Sequence, residues 1–277
     1  MSKSIGNELE LAESLRESSD FHQIFGLDTF AGFRSSSGGG ELCLRPHSGF
    51  VEYQPADMVA TVRAGTSLDE LQDELAKHGQ CLPLLRPEGF PGGTVGGGIS
   101  MAMPTLHEAK WGSWRDWVLG LKLLLADGTV VKCGSRAVKN VAGYDIQKLI
   151  VGARGTLAII LEASLRVAPI SALAAQPASI TKGKPGALKC VHRVLRSDFA
   201  QALEASNNSL LFACSETGTL WLAGEPERRF EGDWIMNSGR GDANVEIRGN
   251  DQVRLILRAK KIFDPMHKLN PKEWEFV

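Results

Sequence analysis

The chain has 277 residues, 43% hydrophobic and 23% charged, which is enough apolar material for a substantial core and for two domains. Thirty-one basic and thirty-two acidic side chains leave a formal charge of −1, offering neither a nucleic-acid footprint nor a polybasic membrane patch. The apolar stretches at 118–126 and 156–167 are interrupted by Lys122, Glu162 and Arg166, so neither reads as a membrane-spanning helix of about 20 residues.

The first fifteen residues are polar and acidic, unlike a secretory signal. An amphipathic helix is predicted over 8–17 from Leu9, Ala12 and Leu15. Ser35-Ser36-Ser37-Gly38-Gly39-Gly40 reads as a loop. Residues 58–63 read as a strand, and Ala64-Gly65-Thr66 turns into a helix at 67–78. The Ser67–Glu70 capping box and the stripe Leu68, Leu71, Leu75 mark that helix. Gly79 stands where a left-handed C-terminal residue is wanted, and 81–84 follows as a short strand. Asp127-Gly128 between 118–126 and 129–132 predicts a hairpin with a two-residue turn. Residues 145–151 suit a short helix. Over 156–167 the odd positions are all apolar while Glu162, Ser164 and Arg166 face the other way, the pattern of a long strand. Residues 169–185, rich in Ala, Ser, Pro and Lys, mark a domain boundary. Beyond them come a helix over 186–196, a hairpin-like pair at 210–214 and 219–223, and a helix over 251–262. The mixture of helices with hairpins predicts an α+β fold.

Thirty glycines exceed the usual share of about 7%, and the densest cluster is Pro91-Gly92-Gly93-Thr94-Val95-Gly96-Gly97-Gly98. Amides without an intervening Cβ suit a diphosphate, whereas a tightly packed glycine turn is the structural alternative. The cluster has neither the G-x-x-x-x-G-K-[ST] nor the G-x-G-x-x-G spacing, which disfavours a P-loop or a Rossmann site. Three more segments follow: Gly112-Ser113-Trp114-Arg115-Asp116, Lys139-Asn140-Val141-Ala142-Gly143-Tyr144-Asp145 and Gly152-Ala153-Arg154-Gly155-Thr156-Leu157. Taken singly, the first is a loop with an Arg115–Asp116 surface pair and the second a polar loop capped by Asp145.

In this order, P-G-x-T-V-G-G, G-S-x-R-D-x-V-L-G, K-N-V-A-G-Y-D and G-x-x-G-T-L-x-I-I resemble the FAD-binding domain of the p-cresol methylhydroxylase / vanillyl-alcohol oxidase type. The third segment is most similar to the FAD-binding E subunit of bacterial glycolate oxidase. Phe263-Asp264-Pro265 and Leu269-Asn270-Pro271 match the family's F-D-P-x-x-x-L-N-P ending. The resemblance implies noncovalent FAD between two α+β subdomains, the first shortened, with the diphosphate on Pro91, Gly92, Gly93, Thr94, Val95, Gly96 and Gly97. Gly112, Ser113 and Asp116 would line the adenosine-diphosphate half. Lys139, Asn140, Gly143, Tyr144, Asp145, Gly155, Thr156, Leu157, Ile159 and Ile160 would lie near the cofactor. It further implies an FAD-binding domain over 1–170, a small α+β cap over 171–258 and a C-terminal segment, 259–277, that returns to the FAD domain.

The expected activity is flavin-dependent oxidation of a small 2-hydroxy acid, with electron relay through a larger flavoprotein subunit and an iron–sulfur subunit. No nucleic acid and no direct membrane insertion are expected, and the location implied is cytoplasmic, with membrane association only through partners. Five scattered cysteines without C-x-x-C spacing read as reduced thiols and supply no zinc or cluster ligands. The family's early R-x-x-G-G-G-[ST] loop is replaced by Ile24 to Arg34, where Gly26 and Thr29 stand as remnants. That departure motivates a second reading, a noncatalytic assembly subunit with weakened or lost FAD binding. No catalytic residue is assigned: His192 is placed with Arg193 on a solvated helix face, and His22, His47, His78 and His267 are isolated.

Overall fold

The computed structural model describes residues 2–4, 7–17, 22–26, 40–84, 86, 92–106, 108–136, 145–173, 179–181, 189–230, 234–237 and 250–270. The chain opens with β1 (Ser2–Ser4), α1 (Glu8–Glu17), β2 (His22–Phe25) and β3 (Gly40–Cys43). These strands form a three-stranded parallel sheet in the order β1-β3-β2. Helix α1 buries Leu11, Ala12 and Leu15 against Leu42, Leu44 and Leu269. Leu9, expected on the buried stripe, is 72% exposed; the inward face begins two residues later.

Next come β4 (Phe50–Gln54), β5 (Val59–Arg63), α2 (Leu68–Ala76), β6 (Gln80–Cys81), α3 (Val95–Met101), α4 (Glu108–Trp111), α5 (Trp114–Trp117), β7 (Val118–Leu124), β8 (Val130–Gly134), α6 (Ile146–Ile150), β9 (Ile159–Arg166) and β10 (Ala168–Pro169). Five of the strands make an antiparallel sheet, β4-β5-β9-β7-β8. Helix α2 starts where its capping box predicts, with Ser67 Oγ accepting from Glu70 N and Glu70 Oε2 accepting from Ser67 N. Gly79 is left-handed at φ 66°. The β7–β8 turn is wider than a two-residue hairpin: Leu124 pairs with Val130, and Leu125 N donates to Thr129 O. Asp127 Oδ1 accepts from Thr129 N at 2.8 Å, and Gly128 takes φ 80°.

Strand β9 departs from simple alternation. Lys122 pairs with Glu162 but Leu123 pairs with Ile160, so Leu161 is an extra, bulged residue. Ile159 and Leu161 therefore join the core under α1, while Ile160, Ala163 and Leu165 join the main core with Leu71, Leu75, Val95 and Ile99. The apolar odd positions are split between two cores rather than lining one face.

The last portion holds β11 (Ser179–Thr181), β12 (Cys190–Arg193), α7 (Phe199–Ala205), β13 (Leu210–Cys214), β14 (Thr219–Leu222), β15 (Trp234–Asn237) and α8 (Asn250–Phe263). Its five strands form an antiparallel sheet, β11-β13-β14-β12-β15. The helix predicted over 186–196 is overturned. Residues 190–193 pair with β14 on one side and β15 on the other, and Cys190, Val191 and His192 are all buried. His192 is consequently an interior strand residue, 0% exposed, and not part of a solvated helix face. Met101, Met103 and Leu106 pack against Val191, Leu211 and Trp221 of this sheet. Arg193 adds a two-pronged ion pair to Glu108, at 3.1 and 2.6 Å.

Candidate functional site

The glycine cluster is not all loop. Thr94 caps α3, its Oγ1 accepting from Gly97 N at 3.1 Å. Val95 N donates to Thr66 O at 2.8 Å, Gly96 N to Ala64 O at 2.9 Å and Gly98 N to Thr94 O at 2.9 Å. A Cβ on Gly96 would stand 2.9 Å from the Ala64 Cβ, and one on Gly98 would overlap the Trp114 ring. Those two glycines let α3 press onto the end of β5 and onto Trp114, so close packing explains them. Their amides, with those of Val95 and Gly97, are spent inside the fold.

The N–H groups of Gly92, Gly93 and Thr94 have no partner among the described residues. Gly93 takes φ 72°, a conformation that glycine adopts freely, and its carbonyl accepts from Leu68 N at 3.0 Å. Gly26, the residue after β2, lies so close to Thr94 that a Cβ there would overlap its hydroxyl and stand 2.7 Å from its Cγ2. The Arg86 guanidinium flanks the turn, 3.0 Å from where a Gly92 Cβ would be, and pairs with Asp69. Three amides without a partner among the described residues, beside the Arg86 guanidinium, are the kind of groups that suit an anion. Sequence reasoning missed Arg86, whose one signal is a cation six residues ahead of the glycines.

The second segment holds itself together. Asp116 Oδ2 accepts from Ser113 N at 2.8 Å and from Ser113 Oγ at 3.1 Å, and Gly112, at φ 81°, leaves room for that carboxylate. The Arg115–Asp116 pair is absent. Arg115 instead donates from Nε and a terminal nitrogen to Lys148 O, at 3.1 and 2.9 Å, tying α5 to α6. Asp145 precedes α6 and pairs with Lys148 at 2.7 Å, which holds its carboxyl below the usual value. Gly155, at φ 69°, faces Asn270, and Thr156 donates its hydroxyl to Ala153 O. Leu157, Ile159 and Ile160 are core residues, so their side chains serve packing. Pro91, Lys139, Asn140, Gly143 and Tyr144 lie outside the described residues.

Thr105 Oγ1, Trp111 Nε1, Trp114 Nε1 and Gln147 Oε1 are buried without a partner among the described residues. Unpaired buried polar atoms are uncommon, and these belong to the α3–α6 region. They are the atoms a polar ligand lying along that region would satisfy.

Residues 25–134 match a family model described as FAD binding domain. Over those residues the chain carries an FAD-binding domain. FAD is accordingly its cofactor, and the residues fit it: a diphosphate wants backbone donors and a nearby cation, which Gly92–Thr94 and Arg86 supply. The matched span runs from the end of β2 to the end of β8. Glycolate oxidase subunit GlcE of Escherichia coli is 37% identical over 131 residues, covering 47% of this chain and 37% of that protein. D-lactate dehydrogenase of Archaeoglobus fulgidus is 32% identical over 231 residues, covering 79% and 52%. Glycolate oxidase subunit GlcD of Bacillus subtilis is 31% identical over 144 residues, covering 52% and 30%. The chain thus spans about half or less of the length of these relatives. Among solved structures, an alkyldihydroxyacetonephosphate synthase superposes with a TM-score of 0.52 at 17% identity, over 75% of this chain and 37% of that one, a likeness of fold. Among the described residues no helix is long and apolar enough to cross a membrane.

Proposed function

We propose that this chain is the FAD-holding subunit of a glycolate-oxidase-like complex and takes part in oxidising a small 2-hydroxy acid. A larger flavoprotein subunit and an iron–sulfur subunit complete the complex and carry electrons onward. The names of the relatives support the substrate class, since glycolate and lactate share the 2-hydroxy acid unit. The single observation that carries the reading is the turn at Gly92–Thr94, whose three amides have no partner among the described residues and which lies beside Gly26 and the Arg86 guanidinium.

Bound FAD supplies a two-electron acceptor for the C–H bond next to a carboxylate. The protein's part is to hold it. Gly92, Gly93 and Thr94 would hold the diphosphate through their main-chain N–H groups, and Arg86 would offset its charge. The Ser113–Asp116 capping box and the Arg115 bond to Lys148 keep Trp114 and α6 in place beside α3. The Glu108–Arg193 pair fixes the third sheet against the segment that follows α3.

The test is flavin extraction and a visible spectrum of freshly purified chain, alone and with sister subunits. The proposal predicts an oxidised-flavin spectrum that glycolate or D-lactate bleaches anaerobically once the partners are present. Colourless protein that takes up no FAD, yet co-purifies with partners, would instead establish a noncatalytic assembly subunit.

A further inference from the structure

The segment after α8 plays no part in the site described so far, yet it is held by buried polar contacts. Lys260 Nζ donates to Asp264 Oδ2 at 2.6 Å, to Thr156 O at 2.6 Å and to Leu269 O at 2.9 Å. The Asp264 carboxylate also accepts from Lys268 N and Leu269 N, at 2.9 and 2.8 Å. Lys268 Nζ reaches back to Leu15 O at the end of α1, 2.7 Å away. Leu269 then bridges His22 in parallel: His22 N donates to Lys268 O, and Asn270 N donates to His22 O. The tail thereby becomes an added edge of the first sheet.

Asn270 ends this segment at φ 40°, a left-handed conformation that Asn tolerates better than most residues. Its side-chain amide works in two directions. Oδ1 accepts from Ile24 N at 3.0 Å, and Nδ2 donates to Arg154 O at 2.8 Å. Ile24 lies two residues before Gly26, which packs on Thr94. Arg154 N donates to Ser100 O at 2.8 Å and Gly152 N to Ile99 O at 3.0 Å, so that turn grips the last turn of α3. Gly155 has no side chain because a Cβ there would stand 2.7 Å from Asn270 Nδ2. One planar amide therefore holds both the strand that walls the Gly92–Thr94 turn and the loop that anchors its helix.

We propose that Asn270 is a positioning residue for FAD, through which docking of the C-terminal segment and cofactor binding reinforce each other. The inference rests on the cofactor reading of Gly92–Thr94. Because coupling is reciprocal, FAD must tighten the tail as much as the tail tightens FAD.

The experiment combines FAD titration by flavin fluorescence with hydrogen exchange, on wild type, Asn270→Ala and the exposed α8 control Lys261→Ala. Asn270→Ala is expected to raise the Kd for FAD about tenfold, while Lys261→Ala stays within about twofold. In wild type, FAD is expected to slow exchange at 22–26 and at 268–270. That exchange decides the matter even if Asn270→Ala fails to fold, since mere stabilisation of the whole fold by FAD would slow 190–193 and 210–214 as much as 268–270. Wild-type affinity in Asn270→Ala, or unchanged exchange at 268–270 with FAD bound, overturns the coupling. Wild type that takes up no FAD overturns the cofactor reading itself, a separate failure.

Discussion

Gly26 stands against Thr94 with no room for a side chain: a Cβ at position 26 would lie 2.7 Å from the Thr94 Cγ2 and overlap its hydroxyl. That hydroxyl is already the N-cap of α3. The contact thus couples the end of β2 to the helix whose approach turn carries the amides at 92–94. Gly26→Ala is expected to displace Thr94, which costs about 1 kcal/mol for the lost cap, and to weaken FAD binding as well. Thr94→Ala should lose the same stability in urea titrations but keep the turn in place. A Gly26→Ala protein with wild-type FAD affinity would show that β2 does not wall the site.

Gly96 makes a contrasting prediction. Its Cβ would lie 2.9 Å from the Ala64 Cβ and 3.1 Å from the Ala64 carbonyl oxygen, and backbone cannot step aside. Gly96→Val should destabilise the whole fold by about 1–3 kcal/mol, seen as a lower Tm without FAD present. Helix α2 would not be spared, because Ser67 and Thr94 are bridged and Leu68 N bonds Gly93 O. An unchanged Tm with lost FAD binding would restore a ligand role to Gly96.

Arg86 should separate binding from stability. Its pairing with Asp69 involves side chains 31% and 64% exposed, so removing it costs under about 1 kcal/mol of fold stability. Arg86→Gln is expected to weaken FAD about tenfold at low salt and less at high salt, where screening already reduces the attraction. Asp69→Asn should leave FAD affinity equal or higher. Titrations at two ionic strengths check both.

A pH effect follows from Cys81. Burial pushes its thiol from an ordinary value of 9.0 up to about 11. The folded thiol then keeps its proton where the unfolded one has lost it. Stability from this group is full below pH 9 and falls as pH rises toward 11, by at most about 2–3 kcal/mol. Cys81→Ala should flatten urea-denaturation stability across that window relative to wild type. The native thiol should also resist alkylation at pH 8, read by mass spectrometry.

The parts of this fold legible in the sequence are those fixed locally. The Ser67–Glu70 box placed α2, and the 8–17 and 251–262 patterns placed helices within a residue or two of α1 and α8. What escaped is set by distant partners. Strand β2 has four residues and makes sense only beside β3 and Leu269. Helix α3 runs through glycines, poor helix formers, because the Thr94 cap and close contact with Ala64 and Trp114 outweigh propensity. Residues 190–193 read as helix until two neighbouring strands claimed them. At the site, the glycine cluster drew attention to this turn, but only three-dimensional packing separates the amides at 92–94, without a partner among the described residues, from the spent ones at 95–98. Arg86 could not be found from spacing because it lies outside the glycine segment, and the Leu269-Asn270-Pro271 motif marked Asn270 without showing that its amide bonds Ile24 and Arg154.

The most direct measurement is residue-resolved amide exchange by NMR, with and without saturating FAD. Strong new protection at Gly92, Gly93 and Thr94, with little change at Val95 to Gly98, is the predicted result. FAD bound to the protein while the three amides go on exchanging as before would contradict the account.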